Sequence, residues 1–161
     1  MSYNLFIHFY LSYCEGDCIW MKVRSFRLSD YEGINNLLET VFDGEVLEQT
    51  RKAFARQLSW DSELVLVAES DGKVVGIMIG TIDRSNGYYY RVAVHPDYRR
   101  QGIGKSLIQA MKRRFQQKGI RRVLVPVDQY NEQLLSVFEK AGCSEKDFAR
   151  TTSRLGIAAR L

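Results

Sequence analysis

The stretch that most limits what this chain can fold into runs from Tyr88 to Lys118, YYYRVAVHPDYRRQGIGKSLIQAMKRRFQQK. It reads as strand, short basic loop with two glycines, then amphipathic helix. Tyr88–Val94 is rich in aromatic and β-branched residues, the composition of a strand. His95-Pro96-Asp97 ends it, because Pro96 has no N–H for a ladder and biases His95 away from helix. Ile103, Leu107, Ala110, Met111 and Phe115 then recur at helical spacing, with Lys105, Gln109, Lys112, Arg113 and Gln116 opposite them. Between strand and helix lies Arg99-Arg100-Gln101-Gly102-Ile103-Gly104. The free amides and positive dipole end of a helix start attract an anion. Glycine lets the backbone come close to it, and the arginines add charge-assisted bonds.

Three anion-binding patterns compete for this loop. Gly102-Ile103-Gly104-Lys105-Ser106 imitates the end of a nucleotide P-loop, but that pattern requires glycine where Arg99 stands. A dinucleotide fingerprint requires a third glycine where Leu107 stands. The pattern [Q/R]-x-x-G-x-[G/A] fits, through Arg99, Gly102 and Gly104. With VAVHPDY before it and NEQLLSVFEKAGC after it, the chain resembles the GNAT superfamily of acetyl-coenzyme-A-dependent N-acetyltransferases, in the manner of its bacterial members. The resemblance covers roughly Met21 to the C-terminus.

Composition closes off other classes. A chain of 161 residues suits one domain with a full core. The formal charge of +4 is mild. The bases cluster at 99–122, which reads as a solvated helix face plus a phosphate pocket ahead of a nucleic-acid surface. No apolar run approaches the roughly 20 residues of a membrane span. Three cysteines, Cys14, Cys18 and Cys143, form no disulfide framework, and a metal cluster of His8, Cys14 and Cys18 would lack a fourth ligand. The expectation is a cytoplasmic protein with no metal.

Residues 1–20 look foreign to the remainder of the chain and lack the parts of a signal peptide. Met21-Lys22-Val23-Arg24 looks like a natural start, and Glu15-Gly16-Asp17 can be encoded by a purine-rich run like a bacterial ribosome-binding site. Residues 1–20 are therefore read as an N-terminal extension consistent with a start codon placed too early, and 21–161 as the single domain.

Along that domain, Lys22–Phe26 reads as a strand. Ser29 with Glu32 reads as a capping box opening a helix that carries Ile34, Leu37, Leu38 and Val41 on one face. Asp43-Gly44 separates it from a second helix, about Glu45 to Leu58; the junction at Phe42, Asp43 and Glu45 is a candidate part of the acceptor site. Leu64–Glu69, an Asp71-Gly72 turn and Lys73–Asp83 read as a hairpin. Gly76 and Gly80 share a face of its second strand and leave room for a ligand or neighbouring backbone. Arg121–Val127 is another strand, Asn131–Ala141 a helix closed by Gly142, and Phe148–Leu155 supplies one or two final strands. The order β-α-α-β-β-β-α-β-α-β argues for an α/β protein with a mixed, mostly antiparallel sheet flanked by helices, the order of the GNAT fold.

The resemblance implies a site as well as a fold. Acetyl-CoA would be the co-substrate, its pyrophosphate on Arg99, Arg100, Gln101, Gly102, Ile103, Gly104 and Lys105. Its pantetheine would run along Val92, Ala93 and Val94, and Asn131 would touch it at the next helix. A bulge in the strand would free a backbone N–H near Val92 for the oxyanion. The family motif LYEKLGF departs here to Val137-Phe138-Glu139-Lys140-Ala141-Gly142-Cys143, so the tyrosine that protonates the leaving thiolate is replaced by Phe138. Substitutes are Tyr88, Tyr90 and Tyr130, together with Asp128. Cys143 reads as core. The implied reaction is direct attack of a small-molecule or peptide amine on the thioester. A non-catalytic acyl-CoA sensor is the alternative, and a homodimer is left open by the sequence.

Overall fold

In the computed structural model, which describes residues 21–150 together with Leu155 and Ile157, six strands form a sheet in the order β1-β2-β3-β4-β5-β6. The elements are β1 (Met21–Ser25), α1 (Tyr31–Val41), α2 (Gly44–Asp61), β2 (Val65–Ser70), β3 (Lys73–Asp83), β4 (Asn86–Val94), α3 (Ile103–Gln117), β5 (Arg122–Pro126), α4 (Leu135–Lys140) and β6 (Phe148–Ala149). β1 to β4 pair antiparallel, while β4–β5 and β5–β6 are parallel. The element order is the one read from the sequence. The expectations for residues 1–20, with His8, Cys14 and Cys18, lie outside the described residues, as does a strand beyond residue 150.

The sheet separates two apolar layers. On one face Met78, Tyr89 and Val92 pack with Leu107, Met111 and Phe115 of α3 and Phe138 of α4. On the other, Ile77, Ile79, Tyr90 and Ala93 pack with Ile34, Leu37 and Leu38 of α1 and Phe54 of α2. Gly76 and Gly80 do share a face, and it is the α3 face. A Cβ on Gly80 would lie 2.7 Å from Met111 Sδ, and one on Gly87 in β4 would lie 2.9 Å from Phe115 Cδ1. The neighbour these glycines admit is thus the apolar stripe of α3, and filling the slot would overpack it. That close seat sets where the N-terminus of α3 emerges.

Local boundaries differ where side chains found other partners. The cap forms at the 3-10 turn Leu28–Asp30 just before α1, where Asp30 Oδ2 accepts from the Arg27 amide at 2.7 Å, rather than between Ser29 and Glu32. Asp30 serves there because its carboxylate also takes two bonds from Arg24. The helix expected over 131–141 divides into a 3-10 turn, Asn131–Leu134, and α4. Gly142 (φ +99) does end it, its amide bonded to the Glu139 carbonyl.

Candidate active site

β4 and β5 pair over three residues only, Asn86–Tyr88 with Arg122–Leu124. Beyond them the strands part. The fork leads into a groove of ≈ 600 Å³ lined by Val92 and Val94 of β4, Tyr98 to Arg100, Gly102 to Lys105, Tyr130, and Gln133, Leu134, Val137 and Lys140. Val41 at the end of α1 also lines it.

The basic end arises from the loop. Gly102 sits at φ +80, a left-handed backbone that side chains strain to adopt, and is the N-cap of α3. No side chain caps that helix. Its leading amides and positive dipole end therefore meet the groove with Arg99, Arg100 and Lys105 beside them. Nothing lies within 4 Å of a Cβ built on Gly102, whereas one on Gly104 would come to 3.4 Å from Val137 Cγ1. Arg99 is steadied by Nε donating to the Val94 carbonyl at 3.1 Å.

At the fork β4 is bulged. Ile79 pairs with Arg91 and Gly80 with Tyr89, so Tyr90 is the extra residue. The insertion reverses the alternation of side chains. Tyr88 and Tyr90 belong to the α1 face, but Val92, two residues on, belongs to the α3 face and the groove. Ala93 returns to the α1 face and is buried there.

A polar cluster spans the fork. The Asn131 side chain is fully buried, and its Nδ2 donates to the Tyr90 carbonyl of β4 at 3.2 Å and to the Pro126 carbonyl of β5 at 2.7 Å. Those two bonds occupy both amide protons and hold the parted strands at a set separation. Arg91, its side chain 3% exposed, donates from Nη1 to Asp128 Oδ2 at 2.8 Å and to Asn131 Oδ1 at 3.4 Å. Its guanidinium carbon lies 4.7 Å from the Tyr90 ring centre and 5.2 Å from that of Tyr130. Asp128 Oδ1 accepts from the amides of Tyr130 and Asn131, so this carboxylate is engaged through both oxygens.

Tyr130 joins this cluster to the groove. Its hydroxyl donates to the Val92 carbonyl at 3.2 Å, and its ring packs edge-on to Phe42, 4.6 Å between centres. Burial pushes its phenol above the ordinary value of 10.0, with the Arg91 and Arg99 cations pulling the other way. Phe138 is fully buried against Tyr89 and does not line the groove. Cys143 packs on the same layer, and burial raises its thiol to about 11.

Of the positions expected to hold a cofactor, Val92, Val94, Arg99, Arg100, Gly102, Ile103, Gly104 and Lys105 meet in one groove. Gln101 is exposed outside that lining, and Ala93 and Asn131 face elsewhere. Of the tyrosines, Tyr130 lines the groove, while Tyr88 and Tyr90 pack beneath α1. Sequence reasoning missed Arg91. Its signal was a charge inside the apolar run YYYRVAV, which a buried strand carries only with a partner. It also missed Val137 and Lys140, one turn apart on α4. Among the described residues, no three metal-ligating side chains gather and no helix is long and apolar enough to cross a membrane.

Known proteins share this fold. The model of the acetyltransferase (GNAT) family matches residues 31–143. An acetyltransferase of Pectobacterium atrosepticum is 31% identical over 120 residues, covering 74% of this chain and 85% of that protein. A GNAT family acetyltransferase from Brucella melitensis, solved in complex with acetyl-CoA, superposes with a TM-score of 0.59 at 23% identity over 71% of this chain and 80% of the other. An aminoglycoside N-acetyltransferase, AAC(6')-Iy, solved in complex with CoA, gives a TM-score of 0.65 at 19% identity over 89% and 99%. The parted strands, the glycine-bearing arginine loop and the matched sequence lead to one conclusion: this chain belongs to the GNAT family of acetyltransferases.

Proposed function

We propose that the groove binds acetyl-CoA and that the protein moves its acetyl group to a primary amine by direct attack. The observation that carries this reading is the uncapped start of α3, ringed by arginines, opening into an apolar channel between parted strands. The chemistry of the lining fits the co-substrate. Amides of Ile103, Gly104 and Lys105 and the cations Arg99 and Arg100 suit a diphosphate, and Gly102 leaves open space for it. Val92, Val94, Leu134 and Val137 suit the less polar arm beyond it. The known proteins of this fold solved with acetyl-CoA or CoA support the same assignment.

In the reaction the amine nitrogen bonds to the thioester carbon, and the carbon–sulfur bond breaks with its electron pair on sulfur. The amine enters neutral and sheds one proton; the thiolate takes one up. Phe138 cannot donate it. Tyr130 lines the groove and is the donor we assign, ahead of Tyr88 and Tyr90; its one O–H rests on the Val92 carbonyl and turns from it to the sulfur as the thiolate forms. It recovers a proton through solvent from the acylated nitrogen. Its phenol stays protonated at neutral pH because burial raises it.

Thermal unfolding with and without acetyl-CoA tests the first claim. A ligand held only by the native state, at 100 times its Kd, stabilises by about 2.7 kcal/mol. That shift is expected in the wild type and absent in Gly102→Glu, where a side chain and a negative charge enter the loop. No shift at millimolar acetyl-CoA would overturn the assignment. An amine panel read by thiol release tests transfer. A second reading, an acyl-CoA sensor, is motivated by the buried Phe138 and predicts binding with no thiol release. Binding to nucleic acid through 99–122 has less support: Arg114 donates to the Glu63 carbonyl and Ser25, and Lys118 pairs with Asp61 and Glu63.

A further inference from the structure

We infer that Arg91 is a positioning residue for acyl transfer, which holds the Tyr130 phenol at the Val92 carbonyl where the groove opens between β4 and β5. This rests on the reading of the groove as the site of transfer and of Tyr130 as its proton donor.

A buried arginine has stringent needs. Removing a guanidinium from water is costly unless its charge and its donors are matched. A purely structural arginine is expected to use its whole fork. Arg91 does not. Nη1 takes Asp128 and the long bond to Asn131, while Nε is buried with no hydrogen-bond partner. The guanidinium carbon instead lies over two aromatic rings, Tyr90 and Tyr130, and the group also hydrogen-bonds the Tyr90 side chain. Lysine could supply the charge but not a delocalised fork that reaches the carboxylate and both rings together.

Each tie of this cluster reaches Tyr130 by a separate route. The guanidinium lies over the Tyr130 ring. The Asp128 carboxylate, held by Arg91 through Oδ2, caps the Tyr130 amide through Oδ1 at 3.0 Å. Asn131, touched by Arg91 at its Oδ1, bonds the carbonyls on either side of the fork with its Nδ2. The bulge at Tyr90 is what puts Arg91 within reach: it turns Val92 into the groove and leaves Arg91 at the split. Ring, backbone and strand separation are thereby set from one side chain. The phenol at the far end donates to the Val92 carbonyl at 3.2 Å.

The test uses the full chain with 3-fluorotyrosine placed at position 130, observed by fluorine NMR, alongside steady-state thiol release. The wild type should give one narrow resonance. Arg91→Met should broaden or split it, and Arg91→Lys should restore it only in part. Asp128→Asn keeps the shape of the cap and leaves the arginine in place, so it serves if Arg91→Met does not fold; it should shift the same resonance. An unchanged resonance in whichever of these variants folds would overturn the proposal, whether or not an acceptor amine has been found. In turnover, Arg91→Met should lower kcat about tenfold with the KM for acetyl-CoA changed less than about twofold, and the loss should nearly vanish in a Tyr130→Phe background. An equal loss in that background would overturn it by showing that Arg91 acts another way. If the wild type binds acetyl-CoA but releases no thiol with any amine, the transfer reading fails, and the fluorine result still decides what Arg91 does to Tyr130.

Discussion

Two arginines among the described residues, Arg24 and Arg91, have side chains largely withdrawn from water, and they are held differently. Arg24, on β1, gives Nη1 and Nη2 to both oxygens of Asp30 at 2.7 and 2.8 Å, and Nε and Nη2 to Glu69 across the β1–β2 ladder. Both side chains of its main pair are nearly dry, at 11% and 6% exposed. Arg91, on β4, has one close carboxylate, which is 43% exposed, two aromatic rings and an unpartnered Nε. The first is a finished brace that ties the start of α1 to the sheet edge. The second lies beside a groove and is left incomplete as a brace. A full set of bonds marks an arginine whose work is to hold the fold. A partial set at a bulge, next to a cavity, marks one placed for the site.

The contrast between the two is most exposed to refutation at Arg24. Arg24→Met leaves the Asp30 carboxylate buried without its cation and should cost about 3–5 kcal/mol in urea unfolding. A loss under about 1 kcal/mol would show that Arg24 is not the brace described. The acid limb carries the same signature. Arg24 holds the Asp30 carboxyl below its ordinary 3.8, against a smaller opposing push from burial. A depressed folded value means that the stabilisation is complete above 3.8 and is lost as pH falls through the folded value. Arg24→Met should therefore flatten the fall of stability as pH drops below 3.8.

At the other arginine the largest effect should be on rate. Tyr130→Phe keeps the ring against Phe42 and Arg91 but removes the phenolic proton. It should lower kcat about 100-fold, the lower end of what a general acid contributes, with a stability change under about 1 kcal/mol. Unchanged kcat would remove Tyr130 from the mechanism. Arg91→Met should cost only about 1 kcal/mol of stability, because the carboxylate it leaves behind, Asp128, is half-exposed and already well solvated. A cost equal to that of Arg24→Met would erase the distinction between the two arginines. Lys118→Met supplies the surface reference: its pairs with Asp61 and Glu63, at 2.8 and 2.9 Å, should be worth about 0.2–1 kcal/mol and weaken in salt.

Much of the fold was legible because it is written in local chemistry. The period of Ile103, Leu107, Met111 and Phe115 yields a helix, Asp71-Gly72 yields a turn, and both are found. The anion loop was legible for the same reason, since its glycine, its arginines and the helix start are contiguous in the chain. Legibility ended where partners are distant. Asn131 has the residue type and place of a cofactor contact, yet its amide is taken by carbonyls of two other strands. Ser29 and Glu32 form a good capping pattern, but Asp30 wins because Arg24 also holds it. Ala93 was grouped with Val92 and Val94 as one backbone edge, and only the structure shows that its side chain turns to the α1 face while theirs line the groove.

The order of elements, the family and the anion loop could thus be read along the chain alone, because each depends on residues near one another in it. Tertiary structure decided which tyrosine reaches the groove, what Gly76 and Gly80 make room for, and that Arg91 bears on the site at all. The cause is the bulge at Tyr90 and the parting of β4 from β5. Both depend on how strands register and pack against α3. They exchange the faces that side chains occupy, and period-2 reading along the sequence carries no information about where that exchange occurs.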